Sequence, residues 1–326
     1  MRTLPVSELT VVKFALGALL KFRERVEEAV ALSPFRESND RRERKMKVVI
    51  LAGGYGTRMS EHTSVVPKPL VEIGGQPILW HIMKLYSYHG LNEFVICCGY
   101  KGSVIKDYFL NYLPHQGDFT IDLNRNRIKT HRNASEPWSV TLVDTGEKTM
   151  TGGRLKRVRD YLGNSTFCLT YGDGVSDVNI RELITFHHQQ GALATVTAVQ
   201  QPGRFGALNL SSDRPRATNF REKDARDGQV INGGYFVVEP EAIDVIDGDE
   251  TSWEHEPLAR LIEQDQLAVY RHRGYWQNMD TLRDKAVLQE LWDTGAPPWC
   301  VWNKEAAPSK EPEKSAQPKV AVRTRI

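Results

Sequence analysis

From Lys47 onward, short apolar runs alternate with segments whose apolar residues recur at helical spacing. Val48–Leu51 and Phe94–Cys98 are continuous apolar runs, as expected for strands that are buried on both faces. Between them, Pro77 opens a segment with apolar side chains at helical spacing, and Gly90 follows it as a helix-ending residue. This alternation predicts a mostly parallel sheet with helices on both faces.

The same alternation continues as far as about residue 192. It predicts helix Val104–Leu113, strand Val140–Val143, helix Arg154–Leu162, strand Thr166–Thr170 and helix Ile180–Gln190. Beyond that point, strand-like runs separated by Pro, Gly and Asp turns predict a small β-rich annex, followed by one helix. The annex strands are Thr195–Val199, Ala207–Leu210 and Val230–Val238, and the helix is Leu282–Trp292. The predicted fold class is therefore α/β, with a Rossmann-like mixed sheet and an annex.

The two ends of the chain have a different composition from the middle. Residues 1–45 contain one amphipathic stretch, Val11–Phe22, and are predicted to form a helical extension rather than a signal peptide, since Lys13 interrupts the stretch and no small-residue cleavage site follows. Residues 303–326 are rich in Lys, Glu, Pro and Ala and are predicted to be disordered. The folded domain is thus expected to span residues 46–302.

Charge and cysteine content narrow the range of partners and compartments. The net charge of +2 comes from the ends, because residues 1–46 and 304–326 each carry a surplus of three basic groups, which leaves −4 between them. A net charge of −4 over residues 47–303 does not fit a nucleic-acid-binding protein. The sequence contains no run of about 18 apolar residues, so no membrane span is predicted. Four cysteines without zinc or disulfide spacing indicate a reducing cytoplasm.

A glycine-rich segment directly follows the first predicted strand. It reads Leu51-Ala-Gly-Gly-Tyr-Gly-Thr-Arg58, and Val66-Pro-Lys-Pro-Leu70 comes soon after. Glycines allow the backbone N–H groups to approach a phosphate, while Arg58 and Lys68 supply a planar fork and a point charge. The spacing is neither that of a P-loop nor that of a dinucleotide-binding GxGxxG. We interpret the segment as a phosphate-binding loop rather than a turn with two solvated cations.

Two aspartates are candidate metal ligands. Asp173 lies between two glycines at the end of a strand, a good position for Mg²⁺, which takes few carboxylates from the protein. Asp280 stands just before the last helix, where it could be a second ligand or the N-terminal cap, a role that Thr281 could also fill. A third cluster contains Lys223, which could neutralise a second phosphate or be an exposed charge, and Asn232, which could line a sugar pocket.

Together these segments resemble the sugar-1-phosphate nucleotidyltransferases. The family signature is a strand followed by LAGGxGTR and then PKP, which here reads Leu51–Arg58 and Pro67–Pro69. The GDG segment, the Glu-Lys pair and a late W-x(3)-D-T follow in the family's order. The resemblance covers about residues 46–302 and implies a nucleotide-diphospho-sugar transferase fold, with a nucleotide-binding part at 46–191 and a sugar-binding part at 192–302.

Other stretches are similar to those of family members that use CTP and glucose 1-phosphate. They include Cys97–Gly102, Val140–Gly146, Met150–Arg157, Pro202–Ala207 and Met279–Lys285. The resemblance therefore implies transfer of CMP from CTP to α-D-glucose 1-phosphate, with Mg²⁺ as cofactor and within a homo-oligomer. It also implies supply of CDP-glucose for the deoxysugars of surface polysaccharide.

The resemblance also implies roles for individual residues. Catalysis would depend on Arg58, Lys68 and Lys223, and the metal would be bound by Asp173 and Asp280. Nucleotide contacts would come from Leu51, Ala52, Gly53, Gly54, Gly56, Thr57, Arg58, Lys68, Thr149, Thr151, Arg154 and Gly172. Sugar phosphate contacts would come from Gly206, Glu222, Lys223 and Asn232.

The implied chemistry is direct displacement at the α-phosphorus, which needs no protein nucleophile or general base because the attacking phosphate is already ionised. His81, His187 and His188 are therefore expected to be packing or surface groups. Two alternatives remain open at this point. One is an enzyme of the same fold with another base or acceptor, such as UTP or dTTP with a sugar phosphate, or choline phosphate as the acceptor. The other is a regulatory module that binds nucleotide without turnover.

Overall fold

The computed structural model describes residues 46–56, 66–112, 117–131, 135–200 and 230–303, together with the backbone of 207–210 and 217–221. Residues 1–45, the predicted N-terminal extension, and all of the predicted tail 303–326 except Asn303 lie outside the described residues. None of the described helices is both long enough and apolar enough to cross a membrane.

The described strands and helices alternate along the first two thirds of the domain. The strands are β1 Lys47–Leu51, β2 Glu72–Ile73, β3 Gln76–Pro77, β4 Glu93–Cys98, β5 Phe119–Asp122, β6 Arg127–Thr130, β7 Ser139–Asp144, β8 Phe167–Tyr171, β9 Gly174–Ser176, β10 Ala194–Gln200, β11 Ala207–Leu210, β12 Ala217–Arg221, β13 Val230–Val238, β14 Leu267–His272 and β15 Trp276–Asn278. The α-helices are α1 Ile78–Tyr88, α2 Gly102–Leu110, α3 Thr151–Arg157, α4 Arg159–Leu162, α5 Ile180–Gln190, α6 Glu256–Glu263 and α7 Leu282–Asp293. Short 3-10 helices are formed by Lys68–Leu70, Pro240–Val245 and Val301–Asn303.

Seven of these strands form one sheet in the order β14-β10-β13-β8-β1-β4-β7. Strands β1, β4, β7 and β8 are parallel, as are β10 and β14, while β13 runs antiparallel to both of its neighbours. The predicted fold class, a mixed and mostly parallel sheet flanked by helices, is confirmed.

Strand β1, which lies between β8 and β4 in the sheet, separates two apolar cores. Because successive side chains of a strand point to opposite faces, Val48 and Ile50 join the core beneath α1, while Val49 and Leu51 join the core that contains Trp253. The first three of these four side chains are fully buried. All four positions after Lys47 are therefore required to be apolar, which is why Val48–Leu51 reads as a continuous apolar run.

The ends of most predicted elements lie within a few residues of those observed. Helix α5 has the predicted bounds, with Asn179 accepting a hydrogen bond from the backbone N–H of Glu182 at its start and Gly191 at φ 64° at its end. The predicted helix Arg154–Leu162 is in fact two helices, since Val158 lies between α3 and α4 and does not continue either.

The region after residue 192 is less separate than its sequence indicates. Strands β10, β13 and β14 extend the main sheet, where nearly all of β10 and the second half of β13 are buried. Strands β11 and β12 pair only with each other among the described residues and form the β-rich annex. The hairpin β5–β6 and the pair β9–β15 are additional small sheets.

Candidate active site

The carboxyl ends of β1 and β8 meet at one edge of the sheet. Leu51 pairs with Tyr171, and the backbone N–H of Gly172 donates to the carbonyl oxygen of Leu51 over 3.0 Å. The glycine-rich loop that follows β1 therefore lies beside the turn that contains Asp173. In open α/β sheets, ligands bind at this edge.

Arg154 holds the glycine-rich loop from inside the protein. Its Nη2 donates to the carbonyl oxygens of Gly53 and Glu147 at 3.0 and 3.1 Å. Its Nη1 donates to the carbonyl oxygen of Gly146 at 2.7 Å and to Oγ1 of Thr145 at 2.8 Å. With only 4% of Arg154 exposed, the described contacts of the guanidinium are to protein oxygens, and they fix the shape of the loop.

Two glycines make room for this guanidinium. A Cβ added to Gly53 or to Gly99 would lie 2.2 Å from Nη1 of Arg154. Gly56 has another reason to be glycine, since its φ of 61° is a left-handed conformation that side chains with a Cβ rarely adopt. Part of the glycine content of the loop is therefore explained by packing and backbone conformation, independently of any ligand.

Lys68 lies at the centre of the site. It is the first residue of the 3-10 helix Lys68–Leu70, and Pro67 and Pro69 on either side restrict its backbone. Its Nζ lies 2.7 Å from Oδ2 of Asp173 and 2.5 Å from Oδ1 of Asp280. Burial opposes the charge of Lys68, but the attraction and hydrogen bonds of the two carboxylates outweigh burial and raise the pKa of Lys68.

The two aspartates, 107 positions apart in the chain, are brought together by the pairing of β9 with β15. Asp173 lies in the turn before β9, and Asp280 follows β15. The backbone N–H of Met279 donates to the carbonyl oxygen of Asp173 over 2.9 Å, which closes the gap between the two segments. The oxygen atoms of both carboxylates therefore converge on one ammonium group.

The N-terminal cap of α7 is Thr281, not Asp280. The Thr281 hydroxyl accepts from the backbone N–H of Asp284, and the Asp284 carboxylate accepts from the backbone N–H of Thr281. Asp280 instead accepts from the side-chain amide of Asn278 through Oδ2, at 2.7 Å. Of the two positions weighed from the sequence, Asp280 is thus the one directed at the cluster with Lys68.

The donor set fits a divalent cation. Two carboxylates already bind one positive group between them, and Mg²⁺ prefers such oxygen ligands. The side-chain oxygen of Asn278, whose amide group touches Asp280, is buried without a hydrogen-bond partner in the described parts of the chain. A hydrated cation or a substrate hydroxyl would satisfy an oxygen of this kind.

Two cavities open on this cluster. The loop cavity, of about 310 Å³, is lined by the glycine-rich loop and the start of α3. The β13 cavity, of about 270 Å³, is lined by β13 and by the residues around Asp280. Tyr171 and Asp173 line both cavities. Of the residues predicted to contact nucleotide, the loop cavity contains Leu51, Ala52, Gly53, Gly54, Gly56, Lys68, Thr149, Thr151, Arg154 and Gly172.

The predicted sugar phosphate residues are described only in part. Asn232 lines the β13 cavity, where its amide group donates to the hydroxyl of Tyr171 at 3.4 Å. The other three predicted sugar phosphate residues, Gly206, Glu222 and Lys223, lie outside the described residues. So do two predicted nucleotide contacts, Thr57 and Arg58. Their assignments stay predictions.

Sequence reasoning missed two side chains of the site. Tyr171 directly precedes the GDG segment, and its position at the end of an apolar strand was a usable signal. Glu254 reaches the site from the segment before α6, where its carboxylate accepts from Tyr171 and from Thr151. No motif surrounds Glu254, so only the folded structure relates it to the site.

The chain is similar in sequence and in fold to known proteins. Residues 47–285 match the model of the nucleotidyl transferase family. The chain is 56% identical over 258 residues to glucose-1-phosphate cytidylyltransferase of Salmonella typhi, which covers 79% of this chain and 100% of that protein. It is 45% identical, with the same coverage, to the probable glucose-1-phosphate cytidylyltransferase of Bacillus subtilis. The crystal structure of HddC from Yersinia pseudotuberculosis shares the fold at 21% identity, with a TM-score of 0.56 over 76% of this chain and 99% of that one.

A mixed α/β sheet with a glycine-rich loop, a central lysine and paired carboxylates at its carboxyl edge defines an enzyme that handles phosphorylated substrates. The chain belongs to the nucleotidyl transferase family.

Proposed function

We propose that this protein transfers CMP from CTP to α-D-glucose 1-phosphate and releases CDP-glucose and pyrophosphate. The observation that carries the proposal is the 56% identity to a glucose-1-phosphate cytidylyltransferase along that protein's whole length. The geometry supports it, since two cavities meet at Tyr171 and Asp173, beside Lys68. The loop cavity is assigned to the nucleotide and the β13 cavity to the sugar phosphate.

The reaction requires two anions to approach each other, so its main barrier is electrostatic. Lys68 lines the loop cavity and would turn its ammonium group from the carboxylates towards the α-phosphate of CTP. Asp173 and Asp280 would hold Mg²⁺, which when bound supplies positive charge to the phosphate oxygens. The predicted contributions of Arg58 and Lys223 add positive charge on the nucleotide and sugar sides, respectively.

A direct displacement without a covalent enzyme intermediate is supported by the state of the candidate nucleophiles and bases. All four cysteines are buried, and burial raises the pKa of the Cys98 thiol to about 11 and of the Cys168 thiol to about 12. Burial also lowers the pKa of His81 to about 4. The oxygen of glucose 1-phosphate is already ionised at neutral pH and can attack without a base.

A pyrophosphate-release assay across nucleotides and acceptors tests the proposal. Purified protein with Mg²⁺ is expected to release pyrophosphate from CTP only when glucose 1-phosphate is present. Faster release with UTP or dTTP, or with choline phosphate as acceptor, would show that the same fold serves another substrate pair. Nucleotide binding without turnover for every pair would identify a regulatory module.

Three broader proposals accompany this function. The cytoplasm is the proposed compartment, because all four thiols are free. A homo-oligomer is proposed because the β5–β6 hairpin exposes large apolar side chains, namely Phe119, Ile121, Leu123 and Ile128. Light scattering of the purified chain and of a variant with Ile121→Ser and Leu123→Ser tests it, since the variant should be smaller. The product would supply deoxysugars of surface polysaccharide.

A further inference from the structure

Tyr171 forms the wall between the two cavities. Its side chain lines the loop cavity together with Thr151, and it lines the β13 cavity together with Asn232. A shift of this one ring would therefore change the shape of both cavities at once. The position of Tyr171 matters for each ligand, whichever of the two binds first.

The ring of Tyr171 is seated against β13. Gly234 has φ 80°, and a Cβ added there would lie only 2.6 Å from Cδ2 of Tyr171. The edge of Phe236 packs against the same ring, with centroids 6.1 Å apart and planes at 89°. Packing thus limits the ring to small movements and leaves its hydroxyl group to set the final position.

That hydroxyl group is held by Glu254. The hydroxyl of Tyr171 donates to Oε1 of Glu254 at 2.5 Å, and the hydroxyl of Thr151 donates to Oε2 at 2.6 Å. The oxygen of Thr151 in turn accepts from the backbone N–H of Trp253 at 2.9 Å. Burial, followed by the nearby carboxylate, raises the pKa of Tyr171, so its hydroxyl remains a donor at neutral pH.

The chain of hydrogen bonds continues into the β13 cavity. Asn232 donates to the hydroxyl oxygen of Tyr171 at 3.4 Å and accepts from the backbone N–H of Gly234 at 2.7 Å. A continuous path therefore runs from Thr151 in one cavity to Asn232 in the other. Glu254 is the member of that path that lines neither cavity.

We propose that Glu254 is a positioning residue that couples ligand binding in the loop cavity to ligand binding in the β13 cavity, by holding Thr151 and Tyr171 on its two oxygens. The inference rests on the proposed function in one respect: it takes CTP to bind in the loop cavity and glucose 1-phosphate in the β13 cavity. A ligand against Thr151 fixes the Thr151 hydroxyl and, through Glu254, the Tyr171 hydroxyl, so the second ligand meets a wall whose hydroxyl groups are already ordered.

A carboxylate is well suited to this position. Glu254 receives two hydroxyl donors, one on each oxygen, and a carboxylate offers acceptors alone. In Glu254→Gln, a single carbonyl oxygen replaces the pair. The amide group that replaces the other oxygen donates and cannot accept, so either Thr151 or Tyr171 loses its acceptor and its hydroxyl has to reorient. The path between the cavities is therefore weakened with almost no change in side-chain volume.

Calorimetry of glucose 1-phosphate binding, with and without saturating α,β-methylene-CTP in the presence of Mg²⁺, measures the coupling. The analogue occupies the CTP site but cannot release pyrophosphate. The wild type is expected to bind glucose 1-phosphate at least about fivefold tighter with the analogue present, the lower range of measured couplings. For Glu254→Gln this factor should fall below about twofold. Glu256→Gln, the same change at an exposed position two residues along, should keep the wild-type factor.

A second variant separates positioning from a general loss of structure. Tyr171→Phe should lose the coupling to the same extent as Glu254→Gln, and the double variant should lose no more than either. The inference is overturned if the wild type shows no coupling, or if Glu254→Gln keeps the factor and only unfolds at a lower temperature. CDP-glucose formation by the wild type is assayed in parallel. A wild type that forms CDP-glucose but shows no coupling overturns this inference alone, and one that forms none overturns the proposed function with it.

Discussion

Two clusters of polar side chains lie at opposite ends of the strands of the same sheet, here called its two edges. They are built in opposite ways. At the carboxyl edge of β8, Lys68 faces Asp173 and Asp280 beside two open cavities. At the other edge, His187 lies between Thr195 and Glu239, since Val238 at the end of β13 pairs with the first residue of β8. The first cluster has a net negative charge, because two carboxylates face one ammonium group. In the second, each donor is matched by an acceptor.

The second cluster satisfies every group that it contains. Nδ1 of His187 lies 2.8 Å from the hydroxyl of Thr195, Nε2 lies 3.0 Å from Glu239, and that carboxylate also accepts from Thr166 at 2.9 Å. A neutral imidazole with its proton on Nε2 makes all of these bonds, and burial lowers the pKa of His187 accordingly. His187, His188 and Glu239 lie close enough to ligate a metal, but both His187 nitrogens are already engaged.

The comparison shows what distinguishes a site from a structural cluster in this protein. At the site, two carboxylates share one ammonium group and keep a net negative charge that a ligand or cation can complete. In the structural cluster, donors and acceptors match one another, and only 1% of the His187 side chain is exposed. Substitutions at the first edge should therefore change turnover, and substitutions at the second should change stability.

The largest expected effect is on turnover at the carboxyl edge. Asp173→Asn and Asp280→Asn should each lower kcat by at least about a hundredfold, the usual scale for losing charge stabilisation in a transition state. Their unfolding midpoints should stay close to that of the wild type, because Lys68 keeps one partner in each variant. Steady-state pyrophosphate release measures kcat, and Asp293→Asn on α7 is the matched control. Wild-type turnover in both variants would refute the metal assignment.

A smaller effect is expected at the opposite edge. His187→Ala removes the partner of Thr195 and one of the two partners of Glu239, and leaving a buried polar group unsatisfied costs about 1–3 kcal/mol. The free energy of unfolding in urea should therefore fall by about 1–3 kcal/mol, with kcat unchanged at a temperature where the variant is folded. His188→Ala, the exposed neighbour, serves as control. A loss of turnover in folded His187→Ala protein would contradict the contrast between the two edges.

The glycine-rich loop contains one glycine that packing requires and one that has open space around it. Alanine substitutions at these neighbouring positions, Gly53 and Gly54, compare the two. Gly53→Ala places a Cβ 2.2 Å from Nη1 of Arg154 and should lower the free energy of unfolding by about 1–3 kcal/mol, as overpacking does. Gly54→Ala has no atom within 4 Å of its new Cβ and should leave stability near the wild-type value. Equal stability of the two variants in urea would show that Arg154 does not hold the loop.

The sequence predicted the first edge better than the second for a physical reason. Strand β1 is buried on both faces, so its apolar run, the glycines after it and Lys68 between prolines can be recognised locally. The approach of Asp173 to Asp280 depends on the pairing of β9 with β15, two three-residue strands with no pattern of their own. Glu254 was missed for the same reason, because its position comes from a long-range contact. Helix α6 was also missed, although Leu258, Leu261 and Ile262 recur at helical spacing in its sequence.

The break between α3 and α4 shows another limit of local patterns. The segment Arg154–Leu162 has helical periodicity throughout, yet α3 ends before Val158 and α4 begins after it. Periodicity reports which side chains face the core and does not report a change in helix direction. Arg154, a nucleotide contact by family resemblance, lines the loop cavity, while its guanidinium group donates to the carbonyl oxygens of Gly53 and Gly146. Its contact with the nucleotide stays a prediction.

The smallest effect concerns pH and extends the contrast to a second buried histidine, His81. Nε2 of His81 lies 2.9 Å from the carbonyl oxygen of Ile73, and Nδ1 accepts from Trp299, so the neutral form is satisfied. Burial lowers the pKa of His81 to about 4, below its unfolded value of about 6.5. The unfolded chain therefore binds more protons as the pH falls below 6.5, and stability is lost in that direction. Between pH 6.5 and 5.5 this histidine should account for about 1 kcal/mol of lost stability, from the slope of about 1.4 kcal/mol per pH unit.

Urea unfolding of the wild type and of His81→Gln at both pH values measures this loss of stability, since glutamine does not titrate. Equal pH dependence in the two proteins would mean that the pKa of His81 is the same in the folded and the unfolded chain. The contribution of this buried histidine to stability would then not depend on pH, contrary to the prediction.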